Sequence, residues 1–218
     1  MTAAGTGKAR ARKPRRSRGE RKQHILNAMV NCVRRSGFHG ASMNAVAVEA
    51  GLSVGIIYRY FASKEAIIEA IVSNDLAELR DRFTKWENTP NERLIDTVLE
   101  MLDAAVERRY DRDYAALALE VLAEAGRNPS VAAMVERADA QERELGRDLC
   151  SRIMPGTDPD LMDARSEIIG MLFDGMLVRA ISNPQTDREG LLRDLRKLLQ
   201  WLFTEPPMVP SSIRSQEG

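Results

Sequence analysis

The chain has few of the residues that disulfide frameworks, metal centres and most catalytic sites require. Its 218 residues include two cysteines, which lie far apart, and two lone histidines. This spacing matches neither a metal-ligand cluster nor a disulfide framework. We therefore expect no metal site.

Strand-like patterns and membrane-length apolar runs are also missing. No segment alternates apolar and polar residues with β-branched enrichment, so no sheet is expected. The longest apolar stretch of the C-terminal half, residues 168–178, is interrupted by Asp174 and is too short to span a bilayer. The basic N-terminus is not followed by an apolar stretch, which argues against a secretory signal. The sequence thus predicts an all-α, cytoplasmic protein that contacts no membrane.

Motifs that carry catalytic chemistry are equally scarce. An enzyme would need a nucleophile–base pair, a metal cluster or a phosphate cradle, and the sequence shows none of these. Residues 5–8 resemble a phosphate loop only faintly, because the preceding strand, the full spacing and the following Ser or Thr are missing. We predict that the chain is not an enzyme and uses no cofactor. The enzyme alternative would be favoured if Cys150 faced a histidine in a cleft.

Positive charge is concentrated at the front of the chain. Residues 1–64 carry 13 Lys and Arg against two acids, whereas residues 65–218 carry 19 basic and 30 acidic side chains. This asymmetry favours a polyanionic partner for the first third, and the alternative is a tail that only aids solubility. Residues 1–19 have too little apolar area to fold alone, and a basic arm of this kind adds salt-dependent affinity for DNA.

Residues 42–60 predict two short helices joined by a glycine turn. Ser42 suits the N-cap of a helix that ends at Gly51, and Ser53 suits the N-cap of a second helix over residues 54–60. Helices this short need bracing by other elements. In a helix-turn-helix the second helix enters the DNA major groove, so we expect Ile57 to pack inward and its neighbours to face outward. The alternative is a helical hairpin within an ordinary all-α core.

The segment AGLSVGIIYRYFASKEAII resembles the N-terminal signature of the TetR (tetracycline repressor) family of bacterial transcription regulators. The resemblance covers roughly residues 20–70. It implies a dimer that binds operator DNA and is released by a small molecule. Val54 stands where a polar residue is common, and Ile56 where threonine or alanine is usual. These departures affect the operator sequence rather than the fold.

Helical patterns continue along the rest of the chain. Further helices are expected over residues 20–36, 64–86, 91–109, 114–126, 129–153, 159–182 and 186–203. Gly37 should end the first of these. Lys64 opens a helix, where a cation is unfavourable, so its position is better explained by a neighbouring DNA phosphate, as the family resemblance also implies.

The expected organisation is an N-terminal three-helix helix-turn-helix domain plus a larger C-terminal helical ligand-binding and dimerisation domain. Its parts are a disordered basic arm at 1–19, the DNA-binding domain at 20–66, the effector-binding and dimerisation domain at 67–204, and a flexible tail at 205–218.

Three sets of site residues are predicted. The DNA-binding set is Ser42, Ser53, Val54, Gly55, Ile56, Tyr58, Arg59, Tyr60 and Lys64. The effector-binding set is Met101, Tyr110, Tyr114, Leu117, Glu120, Val121, Phe173, Asp174 and Met176. The dimerisation set is Ile168, Leu172, Leu191, Leu195, Leu198 and Leu202.

Each set has an alternative explanation. Methionines and aromatics on helices are often plain core. Glu120 and Asp174 interrupt apolar runs, where a charge needs a partner, so Glu120 either binds an effector, pairs with an arginine or faces water. The leucines of the last helix could pack only within their own subunit. The expected partners are double-stranded operator DNA, a second copy of the chain and an unidentified small-molecule effector, with nucleoid association on DNA. An architectural protein that only compacts DNA is a further alternative.

Overall fold

The computed structural model describes residues 17–204, apart from the side chain of Lys85. The predicted basic arm therefore lies mostly outside the described residues, as does the predicted tail at 205–218. The described part contains helices and connecting turns but no strand, which confirms the all-α prediction. The helices are α1 (Arg18–Gly40), α2 (Met43–Ala50), α3 (Val54–Tyr58), α4 (Lys64–Glu87), α5 (Asn91–Glu100), α6 (Leu102–Tyr110), α7 (Arg112–Ala125), α8 (Pro129–Ile153), α9 (Pro159–Ser182) and α10 (Arg188–Thr204).

Helix α1 starts earlier and ends later than expected. Ser17 and Glu20 form a capping box, in which each side chain accepts from the other residue's backbone N–H, so the helix begins at Arg18. Gly37 interrupts the regular helix, as predicted. It adopts φ 69° and ψ 173°, which kinks the chain, and a further turn continues to Gly40.

Other boundaries also differ from the sequence prediction. Helix α3 ends at Tyr58 rather than at Tyr60. The single helix expected over residues 91–109 is divided at Met101, whose N–H bonds to both Thr97 O and Val98 O at 3.2 Å. Such tightening is typical of a last helical turn. The Met101 Sδ also accepts from Trp86 Nε1 at 2.9 Å, which fixes the break against α4.

The N-terminal core does not stop at the predicted domain boundary. It is built by α1, α2 and α3 around fully buried residues such as Met29 and Ile57, and it continues into Ile68 of α4. Val121 of α7 and Val131 of α8 belong to the same cluster. Helices α1, α2 and α3 therefore share one apolar core with the front of the C-terminal domain.

A second core fills the C-terminal domain between α6, α7, α9 and α10. A smaller cluster around Trp86, Leu94 and Leu149 lies where α4, α5 and α8 meet. Within residues 17–204, no helix is both long enough and apolar enough to cross a membrane.

Candidate nucleic-acid interface

Helices α2 and α3 form the helix-turn-helix that the sequence predicts. Ser42 Oγ accepts from Ala45 N at 3.1 Å, which confirms its role as N-cap. Gly51 adopts φ 61° and ψ 36°, the left-handed conformation that glycine reaches without strain. Leu52 N then bonds back to Ala47 O at 2.9 Å, which closes the turn.

Helix α3 has one fully buried side chain, that of Ile57. Ile57 is fully buried, as expected, and its carbonyl accepts from Tyr60 N at 2.9 Å and from Phe61 N at 3.0 Å. Ser53 occupies the N-cap position, but its side chain makes no cap hydrogen bond. The Ser53 carbonyl instead accepts from Ile56 N at 2.9 Å. Ser53 is therefore the predicted N-cap residue, although its hydroxyl does not bond to the first turn of α3.

Fewer of the predicted DNA-binding side chains face solvent fully than expected. Ser42, Ser53, Gly55, Tyr58 and Arg59 are exposed, with Tyr58 at 54%. The side chains of Val54, Ile56 and Tyr60 are half-buried.

The exposed surface of α3 carries no side chain at Gly55. A Cβ built there would meet no atom of the protein within 4 Å. Nothing inside the described protein therefore requires a glycine at this position, whereas close approach by an external partner would.

Lys64 has partners inside the protein. Its Nζ donates to Phe38 O at 3.0 Å and lies 4.1 Å from the centroid of the Phe38 ring. The structure thus accounts for a cation at the start of α4 without a phosphate neighbour.

The sequence prediction missed two exposed residues of α2. Val48 is 82% exposed and Asn44 is also exposed, beside the cap at Ser42. The helical period carried the signal, because both residues fall off the face on which Val46, Ala47 and Ala50 are buried.

Glu49 anchors the other side of α2 to α1. Its carboxylate accepts from Asn31 Nδ2 at 3.0 Å and from Arg35 Nη1 at 3.1 Å. These hydrogen bonds lower the pKa of Glu49 below its ordinary value. Val48 and Asn44 are exposed on the side of α2 that this anchor leaves uncovered.

The candidate effector residues belong to different apolar cores. Leu117 and Val121 pack into the N-terminal core, whereas Tyr110, Phe173 and Met176 belong to the C-terminal core. Met101 lies against Trp86, and Tyr114 Oη donates to Asp75 Oδ2 at 2.8 Å.

The two charged effector candidates, Glu120 and Asp174, already have partners in the protein. Glu120 Oε2 accepts from Phe38 N at 3.0 Å, so Glu120 lies at the junction with the DNA-binding domain. Asp174 lies 3.6 Å from Arg109 Nη1. The sequence could not show that the partner of Glu120 is a backbone N–H on α1, and its role in effector binding stays a prediction.

A charged centre that sequence reasoning missed lies among α4, α6, α8 and α9. Burial raises the pKa of Glu142; the charge of Arg109 opposes this shift, and the charges of Asp174 and Asp139 add to it. Burial also raises the pKa of Asp174. Arg82 Nε is buried without a hydrogen-bond partner among the described residues. Charged side chains from four helices therefore lie near one another in the C-terminal domain, where Asp174 is exposed and Arg82, Arg109 and Glu142 are half-buried.

The dimerisation set is also divided. Leu195 and Leu202 are buried in the C-terminal core of their own subunit, and Leu172 and Leu191 pack partly against it. Assigning Leu195 and Leu202 to a dimer interface was wrong, because an apolar face on a helix does not reveal which side meets its own core. Ile168 and Leu198 are exposed, at 41% and 38%.

Other exposed apolar residues extend this surface. They are Met171, Val178 and Ile181 on α9 and Trp201 on α10. Ile168, Met171 and Val178 follow the helical period, so they form one stripe along α9.

No group of three or more His, Cys, Asp or Glu side chains is placed to hold a metal ion within residues 17–204. Cys150 Sγ lies 3.8 Å from Ser166 Oγ. Burial raises the pKa of the Cys150 thiol, which makes the reactive thiolate less available.

An exposed second helix in a helix-turn-helix, mounted on a larger helical domain, defines the class of DNA-binding transcription regulators. The family described as "Bacterial regulatory proteins, tetR family" matches residues 25–71, and "Tetracyclin repressor-like, C-terminal domain" matches residues 89–204. The chain belongs to the tetR family of bacterial regulatory proteins.

Individual relatives agree with this assignment. The chain is 36% identical over 112 residues to the HTH-type transcriptional regulator UidR of Escherichia coli strain K12, covering 51% of this chain and 55% of that protein. The chain thus spans about half the length of the curated relatives it matches. The solved structure of Salmonella enterica GusR has a TM-score of 0.66 at 25% identity and covers 84% of this chain and 95% of that one.

A further solved structure shares the fold. It is a putative transcriptional regulator from Saccharomonospora viridis in complex with choline, with a TM-score of 0.63 at 19% identity over 84% of this chain and 97% of that chain.

Proposed function

We propose that this protein is a dimeric, ligand-responsive transcription regulator, acting as a repressor, that binds palindromic operator DNA through α3. The observation that carries the proposal is the solvent face of α3, where Gly55, Tyr58 and Arg59 are exposed on a helix held from behind by the buried Ile57. An isolated helix of this length is unstable in water, so its fixed and outward position favours a role in recognition.

The exposed side chains suit distinct DNA contacts. Tyr58 and Arg59 can donate to phosphates, and Arg59 can also meet a guanine edge. The apolar side chains of Val54 and Ile56 suit thymine methyls, and the small Gly55 permits close approach. Changing Val54 or Ile56 should therefore alter sequence preference, whereas changing Tyr58 should weaken binding to all sequences.

The apolar stripe of α9, with Leu198 and Trp201 of α10, suits a two-fold interface with a second copy of the chain. Exposed apolar area of this kind is typical of a protein contact. A two-fold dimer would present two α3 helices to two half-sites, which matches a palindromic operator. A protein with this function would work in the cytoplasm, on the nucleoid.

The charged centre formed by Arg82, Arg109, Glu142 and Asp174 supports an effector with polar or charged groups. Arg82 Nε is buried without a hydrogen-bond partner among the described residues, and a small molecule that accepted from it would favour one arrangement of the surrounding helices. Tyr110, Phe173 and Met176 lie in the neighbouring C-terminal core and stay candidates for its apolar contacts.

A fluorescence-anisotropy titration tests the DNA-binding proposal. The probe is a palindromic duplex selected by the wild-type protein from a randomised library, and a scrambled duplex of equal length is the control. We expect specific binding in the nanomolar range whose affinity falls steeply with salt. Equal affinity for both duplexes would favour an architectural protein, and no salt-sensitive complex would exclude DNA binding.

A further inference from the structure

The kink of α1 creates a backbone group with no place in a regular helix. Gly37 breaks the helical geometry with φ 69°, and the turn that follows begins at Phe38. The first N–H groups of a helical turn have no acceptor within it. The N–H of Phe38 therefore needs an acceptor from elsewhere in the protein.

Glu120 of α7 supplies that acceptor. Its Oε2 accepts from Phe38 N at 3.0 Å, across a separation of 82 residues in sequence. A Cβ added at Gly37 would lie 3.2 Å from the same oxygen. The carboxylate is thus close against the kink, and the positive φ and the tight approach both favour glycine there.

Lys64 holds the other side of the same residue. Its Nζ donates to Phe38 O at 3.0 Å and lies over the Phe38 ring. The ring is 1% exposed and belongs to the core that also contains Ile57 of α3 and Val121 of α7. Phe38 is thereby fixed to α7 through its N–H and to the start of α4 through its C=O.

The next turn of α7 holds the next residue of α1. Glu124 is 4% exposed and its Oε2 lies 3.3 Å from His39 Nδ1. Arg127 Nε donates to Glu124 Oε2 at 2.7 Å, and Asn128 Nδ2 donates to Glu124 Oε1 at 3.2 Å. Two carboxylates one helical turn apart therefore face Phe38 and His39.

We propose that Glu120 and Lys64 are positioning residues. They fix the DNA-reading helices on the effector domain by bonding to the backbone N–H and the backbone C=O of Phe38, respectively. The inference rests on the proposed function. It assigns Lys64 to the interior of the protein rather than to a DNA phosphate. A movement of α7 would be passed through Glu120 to α1, and from there to the core that holds α3.

Two signatures distinguish positioning from direct DNA contact. Removing a phosphate contact weakens binding and makes the salt dependence shallower, because the negative slope of log K against log salt loses about 0.9 in magnitude. Removing a positioning contact weakens binding and leaves that slope unchanged. Removing a negative charge would by itself strengthen binding to DNA, so weaker binding on loss of Glu120 cannot come from charge alone.

The test uses the full chain and the duplex selected by the wild-type protein. Glu120→Ala removes the acceptor, whereas Glu120→Gln keeps an acceptor oxygen and removes only the charge. We expect Glu120→Ala to raise Kd by about fivefold or more, within the range of allosteric couplings, and Glu120→Gln to stay near wild type. Lys64→Ala should raise Kd with the wild-type salt slope. Asp113→Ala is the matched control, because it removes the exposed ion pair between Asp113 of α7 and Arg34 of α1.

Amide hydrogen exchange measures the junction without DNA. We expect faster exchange at Phe38 N–H in Glu120→Ala than in wild type or Glu120→Gln. Equal or tighter DNA binding by Glu120→Ala, equal losses in the Ala and Gln variants, or a slope reduced by Lys64→Ala would overturn the inference. If the wild-type protein itself bound no selected duplex, the proposed function would fail and the inference with it.

Discussion

Glu142 lies on α8 beside Arg109, Asp174 and Asp139, and burial raises its pKa. Because the folded state holds the Glu142 proton more tightly than the unfolded state, protonated Glu142 favours folding. This contribution is present below the unfolded pKa of about 4.3 and is lost as pH rises through the higher folded pKa. We therefore expect Glu142→Gln to raise Tm at pH 7.5 and to leave it unchanged near pH 4. Thermal unfolding at the two pH values checks this, and an equal rise at both would show that charge is not the cause.

Ser42 and Ser53 occupy the same position at the start of α2 and α3, but only Ser42 makes a cap hydrogen bond. Replacing a working N-cap by alanine costs about 1 kcal/mol. We expect Ser42→Ala to lower the free energy of unfolding by about that amount and Ser53→Ala to leave it nearly unchanged. Urea unfolding of both variants provides the measurement. Equal losses would show that the Ser53 hydroxyl also caps its helix in solution.

The C-terminal end of α4 is held by Arg152 of α8. Arg152 donates to Trp86 O at 2.8 Å and to Thr89 O at 2.6 Å, so it satisfies carbonyls of the last turn and of the loop that follows. Hydrogen bonds to charged groups contribute about 1.5–3 kcal/mol each. We expect Arg152→Ala to lower the free energy of unfolding by about 2 kcal/mol or more.

Arg152→Lys is the matched variant for this element. Lysine lacks the planar fork that reaches two carbonyls, so it should recover only part of the loss. Full recovery by lysine in urea unfolding would mean that positive charge at the end of α4, rather than geometry, is what matters.

Helix type, caps and short-range turns could be predicted from sequence because their causes are local. Ser42 and Gly51 each act on backbone groups within a few residues, and the inward position of Ile57 follows from the local helical period. The partners of Glu120 and Lys64 could not be predicted, because they lie on Phe38 and depend on how α1, α4 and α7 pack. Leu195 shows the same limit, since helical periodicity marks an apolar face but not the element that covers it.

The exposed apolar stripe of α9 leads to a prediction about the oligomeric state of the protein. A charge within a two-fold apolar interface appears twice and is desolvated, so Val178→Glu should convert the dimer to a monomer. Leu122→Glu is the control, because Leu122 is similarly exposed, at 46%, but lies on α7. Light scattering after size-exclusion chromatography gives the mass of each species. A dimeric Val178→Glu, or a monomeric Leu122→Glu, would contradict the assignment of this surface.

Charge is divided between the two ends of the molecule. Residues 1–64 are strongly basic and residues 65–218 are acidic, so attraction to DNA is concentrated on the part that contains α3. The acidic remainder opposes general adhesion to nucleic acid. The whole chain is thus suited to bind DNA in one orientation.

Hydroxyl-radical footprinting of the wild-type protein on its selected duplex tests the central claim most directly. If two α3 helices lie in successive major grooves, protection should fall in two half-sites with centres about 34 Å apart or a multiple of it, related by two-fold symmetry. The double variant Tyr58→Ala and Arg59→Ala should lose this protection. A footprint without paired half-sites, or one that persists in the double variant, would contradict the account.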